Sequence, residues 1–214
     1  MMNLHRAGSK PQWDGVPSKK RNTWQDLAVS TNGILTPGNA LTILGFAMVL
    51  SGLMYILQEQ YWLGAVYIGI GRLLDIADGQ AAEYTKTKSP LGEQLDAGFD
   101  KLATVLILIA LPAASVLPWS LAIALLAPHV AIAAYSAYRI AHFQQLHPSK
   151  FGKISMALAW VSLVALLVGH AVAADKTTVL HIIGYITAAS SIAYGVAAFW
   201  HYVNTGNTGQ SKPK

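Results

Sequence analysis

The sequence predicts an all-α integral membrane protein of six transmembrane helices, preceded by an N-terminal amphipathic helix on the cytoplasmic surface. Three observations predict it. The 214 residues are 53% hydrophobic and only 12% charged, with a mean hydropathy of +0.40. Soluble globular chains carry roughly 25% charge, so neither a soluble domain nor a disordered chain fits. Apolar stretches of about the 20 residues needed to cross a bilayer recur along the chain. The basic residues collect on one side of those stretches. The absence of cysteine excludes disulfide scaffolds, thiolate metal sites, iron–sulfur clusters and cysteine nucleophiles. The net charge of +5 is read as a topology signal rather than a nucleic-acid footprint, because the apolar runs leave little room for a soluble basic face.

The elements follow in order. Residues 1–22 form a polar tail with Arg6, Lys10, Lys19, Lys20 and Arg21. A secretory leader needs an apolar stretch of about 7–15 residues near the start, which is missing here, so the tail is expected to be a cytoplasmic arm. Residues 23–35 mix Trp24, Leu27, Val29, Ile34 and Leu35 with polar residues and suit a short helix lying on the membrane surface. Residues 39–57, 62–77, 102–117, 119–141, 154–174 and 178–203 are the six expected spans, the third helix starting near Leu91. Residues 23–203 are thus one helical membrane domain, and 204–214 a polar C-terminal tail. Fourteen of the fifteen lysines and arginines fall on one side of these spans, Lys176 being the exception. The positive-inside rule places that side, with both termini, in the cytoplasm, and the protein in the cell membrane as a multi-pass protein.

Six of the ten acidic residues lie between positions 75 and 100: Asp75, Asp78, Glu83, Glu93, Asp96 and Asp100. Asp75 and Asp78 are three apart and Asp96 and Asp100 four apart, so on helices each pair shares a face. Two helices joined by a short turn run antiparallel and bring the pairs opposite each other. An acid in the apolar layer costs about 2.5–3.5 kcal/mol on insertion scales, and like charges repel. A divalent cation relieves both costs. Carboxylates are hard ligands, which favours Mg²⁺ or Mn²⁺ over zinc. Four of them have the capacity for two ions about 3.5–4 Å apart, an arrangement suited to displacement at phosphorus. Gly79 and Gly92 leave room for a bulky group beside the carboxylates, while Gly98 suits helix packing equally well.

The segment Asp75, Asp78-Gly79, Ala82-Glu83, Gly92, Asp96, Asp100 resembles the signature of the CDP-alcohol phosphotransferase (phosphatidyltransferase) family, with every spacing met. Pro37, Asn39 and Thr42 resemble the stretch that opens the family's first span. Glu83 stands where the family usually has an arginine that holds the nucleotide end of the donor; Lys86, Lys88 and Arg72 are the nearby candidates to compensate. The resemblance implies transfer of a phosphatidyl group from CDP-diacylglycerol to the hydroxyl of a small polar acceptor, with release of CMP, in phospholipid biosynthesis. It implies Asp75, Asp78, Asp96 and Asp100 as metal ligands for two Mg²⁺ or Mn²⁺ ions. Asp100 is then also the catalytic base. Pro37, Asn39, Thr42, Gly79, Ala82, Glu83, Ser89 and Gly92 become the donor contacts. A homodimer in membrane lipid is implied too. Arg139, Lys150 and Lys153 are candidate acceptor contacts, suiting a phosphorylated acceptor such as glycerol 3-phosphate or inositol phosphate. The Gly152-Lys153 pair weakly resembles phosphatidylglycerophosphate synthases, whereas His142 and His147 read as interface residues. Two other classes compete. A cation transporter predicts acids spread through the depth of several spans, whereas these cluster at one end. A weakened family member with a binding or structural role is motivated by Glu83.

Overall fold

The computed structural model describes residues 11–141, 150–172 and 179–208, all of the regular structure among them helical. After a single 3₁₀ turn at Ser18–Lys20 come α1 (Thr23–Ser30), α2 (Pro37–Leu57), α3 (Tyr61–Tyr84), α4 (Pro90–Ala113), α5 (Trp119–Ala141), α6 (Lys150–Val172) and α7 (Val179–Thr208). The chain divides into two units. One holds the chain through Tyr55 together with Leu63–Ile107, and the other holds Ile56–Trp62 together with everything from Leu108 onward.

In the first unit the helix ends are set by local chemistry. Asn22 and Gln25 form a reciprocal capping box at the start of α1. That helix stops after one further turn, because Asn32 and Gly33 take left-handed backbone angles and the Gly33 amide returns to the Ala28 carbonyl at 2.7 Å. The surface helix expected over residues 23–35 is therefore shorter. The Thr36 hydroxyl accepts the Asn39 amide at 3.1 Å, and Pro37 supplies the fixed φ favoured at a first helical position. Ser89 and Pro90 repeat this arrangement at α4, where the Ser89 hydroxyl accepts the Gly92 amide at 3.0 Å.

A seam of glycines locks α2 onto α3. Gly38, Gly45 and Gly52 recur every seven residues, on one side of α2. A Cβ on Gly45 would sit 3.0 Å from the Gly71 carbonyl, and one on Gly71 would sit 2.7 Å from the Gly45 carbonyl. Gly52 meets Gly64 and Ile68 in the same way, and Gly38 meets Ala82 and the Asp78 carbonyl. Small residues that bring backbones together are how helices associate where lipid removes the hydrophobic drive. Beneath the seam Phe46 of α2 stacks on Phe99 of α4 at 4.7 Å between ring centres.

In the second unit α6 and α7 are stitched by paired hydroxyls. Ser155 donates to the Ser191 carbonyl and Ser191 to the Ser155 carbonyl, both at 2.8 Å, and Ser162 donates to the Gly184 carbonyl at 2.8 Å. A Cβ on Gly184 would strike Leu166 at 2.6 Å, and one on Gly195 would strike Pro128 of α5 at 2.7 Å. Tyr61 stands edge-on to His170 at 4.5 Å and donates to the Ala114 carbonyl at 3.4 Å.

Among the described residues four helical stretches are long and apolar enough to cross a membrane: Pro37–Leu57, Trp119–Arg139, Lys150–Val172 and Val179–Asn204. Their outward faces stay apolar, as Met54, Ile123, Ile186 and Trp200 illustrate, and such surface belongs in lipid. The protein is a multi-pass membrane protein. The six expected spans reduce to these four on hydropathy, because α3 carries Arg72, Asp75, Asp78 and Glu83 and α4 carries Glu93, Asp96, Asp100 and Lys101. Two expected boundaries also move. The helix expected to end at Ala77 runs on to Tyr84, carrying Asp78 within it, and the one expected to reach Leu117 ends at Ala113, one residue beyond Pro112.

Candidate functional site

The acids at the end of α3 and the start of α4 converge within the first unit. One carboxylate oxygen from each of Asp75, Asp78 and Asp96 lies within 4.8 Å of the others. The helical spacing sets this: Asp75 and Asp78 occupy one face, and the turn at 85–89 folds α4 back so that Asp96 meets them. Asp78 is the deepest at 5% exposure. Its carboxylate accepts a hydrogen bond from the Thr42 hydroxyl, which also reaches the Gly38 carbonyl at 3.1 Å. The glycine seam makes this possible by drawing Thr42 against α3.

Asp100 stands apart from the triad. Arg72 Nη1 lies 2.6 Å from an Asp100 oxygen and 3.3 Å from an Asp75 oxygen. The shorter contact is a charge-assisted hydrogen bond. Arg72 thus joins the two acid pairs and offsets part of their repulsion. Three carboxylates with oxygens within 4.8 Å of one another, one of them buried with a neutral donor, fit a hard divalent cation by charge, donor type and spacing.

Beside the triad opens a cleft of about 180 Å³ whose lining includes Thr42, Asp78, Gly79, Ala82, Ser89 and Asp96. Ligand pockets run to about 300–1,000 Å³, so this cleft has room for a polar part of a larger molecule. A Cβ added to Gly79 would meet nothing within 4 Å, which leaves the approach to Asp78 open. Gly98 also faces open space, so it is not held by packing.

The expected donor residues divide. Thr42, Gly79, Ala82, Ser89 and Gly92 line the cleft. Asn39 is buried instead, with its amide donating to the Gly33 and Ile34 carbonyls at 2.9 Å each. A Cβ on Gly92 would fall 2.9 Å from Asn39 Oδ1, so this glycine admits the asparagine. Pro37 starts α2, and Glu83, not among the residues lining the cleft, is exposed near the end of α3, where its carboxylate pairs with Lys88 at 3.2 Å. Lys88, Thr87, Gly38 and Glu93 line the cleft as well. Sequence reasoning set Lys88 aside only as a compensating charge and passed over the other three as site residues. The signal for Gly38 was available in its sevenfold spacing with Gly45 and Gly52.

The candidate acceptor residues belong to the second unit. Arg139 donates to the Tyr135 hydroxyl at 3.1 Å and lies over that ring, while Lys150 and Lys153 are exposed in the first turn of α6. His142 and His147 lie outside the described residues.

The family model for CDP-alcohol phosphatidyltransferase matches residues 35–197. No curated protein matches the chain.

Proposed function

The chain belongs to the CDP-alcohol phosphatidyltransferase family, and from that premise we propose a specific reaction: transfer of the phosphatidyl group of CDP-diacylglycerol to the hydroxyl of a small polar acceptor. Family membership makes the chain an enzyme of phospholipid headgroup transfer that works on a CDP-alcohol and an alcohol acceptor, and family members use divalent metals. The single observation that supports the finer reading is the triad of Asp75, Asp78 and Asp96 beside a polar cleft.

Asp75, Asp78 and Asp96 would hold the divalent cations, two Mg²⁺ or Mn²⁺ ions. Bound there, they would neutralise the pyrophosphate and the leaving CMP. Thr42 fixes the orientation of the Asp78 carboxylate, because its hydroxyl occupies one of that group's oxygens. The Ser89 hydroxyl accepts the Gly92 amide and keeps its own proton to donate to a phosphate oxygen of the donor. Gly79 and Ala82 leave the space that the donor fills, and Lys88 exchanges its pairing with Glu83 for the donor's phosphates. Pro37 and Asn39 act by holding the start of α2.

The acceptor hydroxyl oxygen attacks the lipid-side phosphorus, forming a new P–O bond while the P–O bond to CMP breaks. Asp100 takes the hydroxyl proton, and the Arg72 guanidinium holds its carboxylate oriented for that role. Arg139, Lys150 and Lys153 recognise the phosphate of glycerol 3-phosphate or inositol phosphate. The remaining elements of the reading are six spans with α3 and α4 included, cytoplasmic termini and site, and a homodimer.

The test is CMP release from CDP-diacylglycerol by purified protein in liposomes. It is run with Mg²⁺ or Mn²⁺ and a panel of glycerol 3-phosphate, inositol phosphate, inositol and serine, with Asp100→Asn as control. The expected result is metal-dependent release with a phosphorylated acceptor, lost in the control. Release with serine or inositol alone would refute the acceptor assignment.

A further inference from the structure

We infer that residues 11–33 form a strap that sets the α3–α4 turn for donor binding, with Asn22 and Gln25 as its positioning residues. The inference rests on the reading of that turn, which carries Lys88 and Ser89, as part of the donor site.

The turn leaves α3 through a left-handed Lys86 at φ 56°, with the Lys86 amide on the Glu83 carbonyl and the Thr87 amide on the Ala82 carbonyl. The carbonyls beyond the helix end then need partners from elsewhere. The strap supplies them. Asn22 Nδ2 donates to the Thr85 carbonyl at 3.0 Å, Gln25 Nε2 to the Lys86 carbonyl at 3.2 Å, and the Gln12 amide to the Lys88 carbonyl at 3.0 Å. The Lys88 amide in turn donates to Gln12 Oε1 at 3.3 Å. Three successive parts of the strap thus hold three residues of the turn.

The far end of the strap returns to the same place. A Cβ on Gly33 would lie 3.2 Å from the buried Trp13 ring and 3.4 Å from Ser89 Oγ. Residues 11–22, expected as part of a polar tail, are therefore docked. The eight-residue α1 is too short to be stable alone, so its reason to be ordered is this docking. Asn22 and Gln25 each do two jobs with two different atoms: the oxygens close the capping box and the nitrogens hold the turn.

That division gives clean variants. Asn22→Ser keeps a good helix cap without reaching Thr85, and Gln25→Glu keeps the capping oxygen without a donor for Lys86. Asn22→Ser is neutral, which separates lost contact from added charge. Three quantities are read on each full-length variant in liposomes: hydrogen exchange of the 85–88 amides, equilibrium binding of CDP-diacylglycerol, and kcat and KM for CMP release. Each variant is expected to speed exchange at the turn and to weaken donor binding and raise KM by about fivefold, the worth of one hydrogen bond. The kcat stays within about twofold. Unchanged exchange at the turn, or a loosened turn with wild-type donor binding, overturns the proposal. So does a fall in kcat with KM unchanged. A wild type that binds CDP-diacylglycerol but releases no CMP refutes the assigned reaction, and the strap is then decided on exchange and binding. A wild type that binds none refutes both.

Discussion

Thr42 shows how much rests on one hydroxyl. It is the neutral donor to Asp78, the most buried acid of the triad, and it reaches it from the neighbouring helix. Replacing it by Val keeps the volume and removes the hydrogen bond. Partners that orient metal ligands are typically worth about 10–100-fold in metal affinity, so Thr42→Val is expected to weaken Mn²⁺ binding by that factor in a titration followed by electron paramagnetic resonance. An unchanged affinity would mean that the hydroxyl does not orient the ligand. Arg72 is the charged counterpart, bridging Asp75 of one acid pair and Asp100 of the other. The aspartates and their helical faces were legible in the sequence because spacing alone decides which residues share a face. That Arg72 of α3 pairs with Asp100 of α4 was not, because contacts between facing helices are set by packing.

The α2–α3 seam explains why the acids meet where they do. Gly71 has a backbone oxygen 2.7 Å from where its Cβ would sit, whereas Gly79 has nothing within 4 Å. The two glycines should therefore answer oppositely to alanine. Gly71→Ala is expected to cost about 1–3 kcal/mol of stability through overpacking, seen as a lower unfolding temperature. Gly79→Ala leaves the unfolding temperature unchanged or raises it, since alanine favours helix, yet raises KM for the donor by narrowing the cleft. Similar losses of stability in both would contradict the distinction between a packing glycine and a site glycine. Gly79 has open space around it, whereas Gly92, expected to leave room for a bulky group, is closed in by Asn39. The docking of residues 11–22 was not legible either, since polar side chains bonding to carbonyls more than sixty positions away leave no local periodicity.

At the scale of the whole molecule, helix content and membrane character followed from composition and apolar run length. Hydropathy alone finds four spans among the described residues, because the residues that build the site are the ones that lower the hydropathy of α3 and α4. Topology is directly measurable, since the chain has no cysteine to remove. With α3 crossing the bilayer, Gln58→Cys is expected to react with an impermeant maleimide from outside intact cells, and Tyr84→Cys only after permeabilisation. Equal labelling of both would refute a spanning α3. The central claim is that the carboxylates of α3 and α4 hold the divalent cation that transfer requires. The most direct measurement is CMP release from CDP-diacylglycerol after chelation and stepwise return of Mg²⁺ or Mn²⁺, in wild type and in Asp96→Asn. No release is expected after chelation, with full recovery on return of metal in the wild type and no comparable recovery in Asp96→Asn. Release that persists in chelator, or recovers equally in the variant, would contradict the central claim.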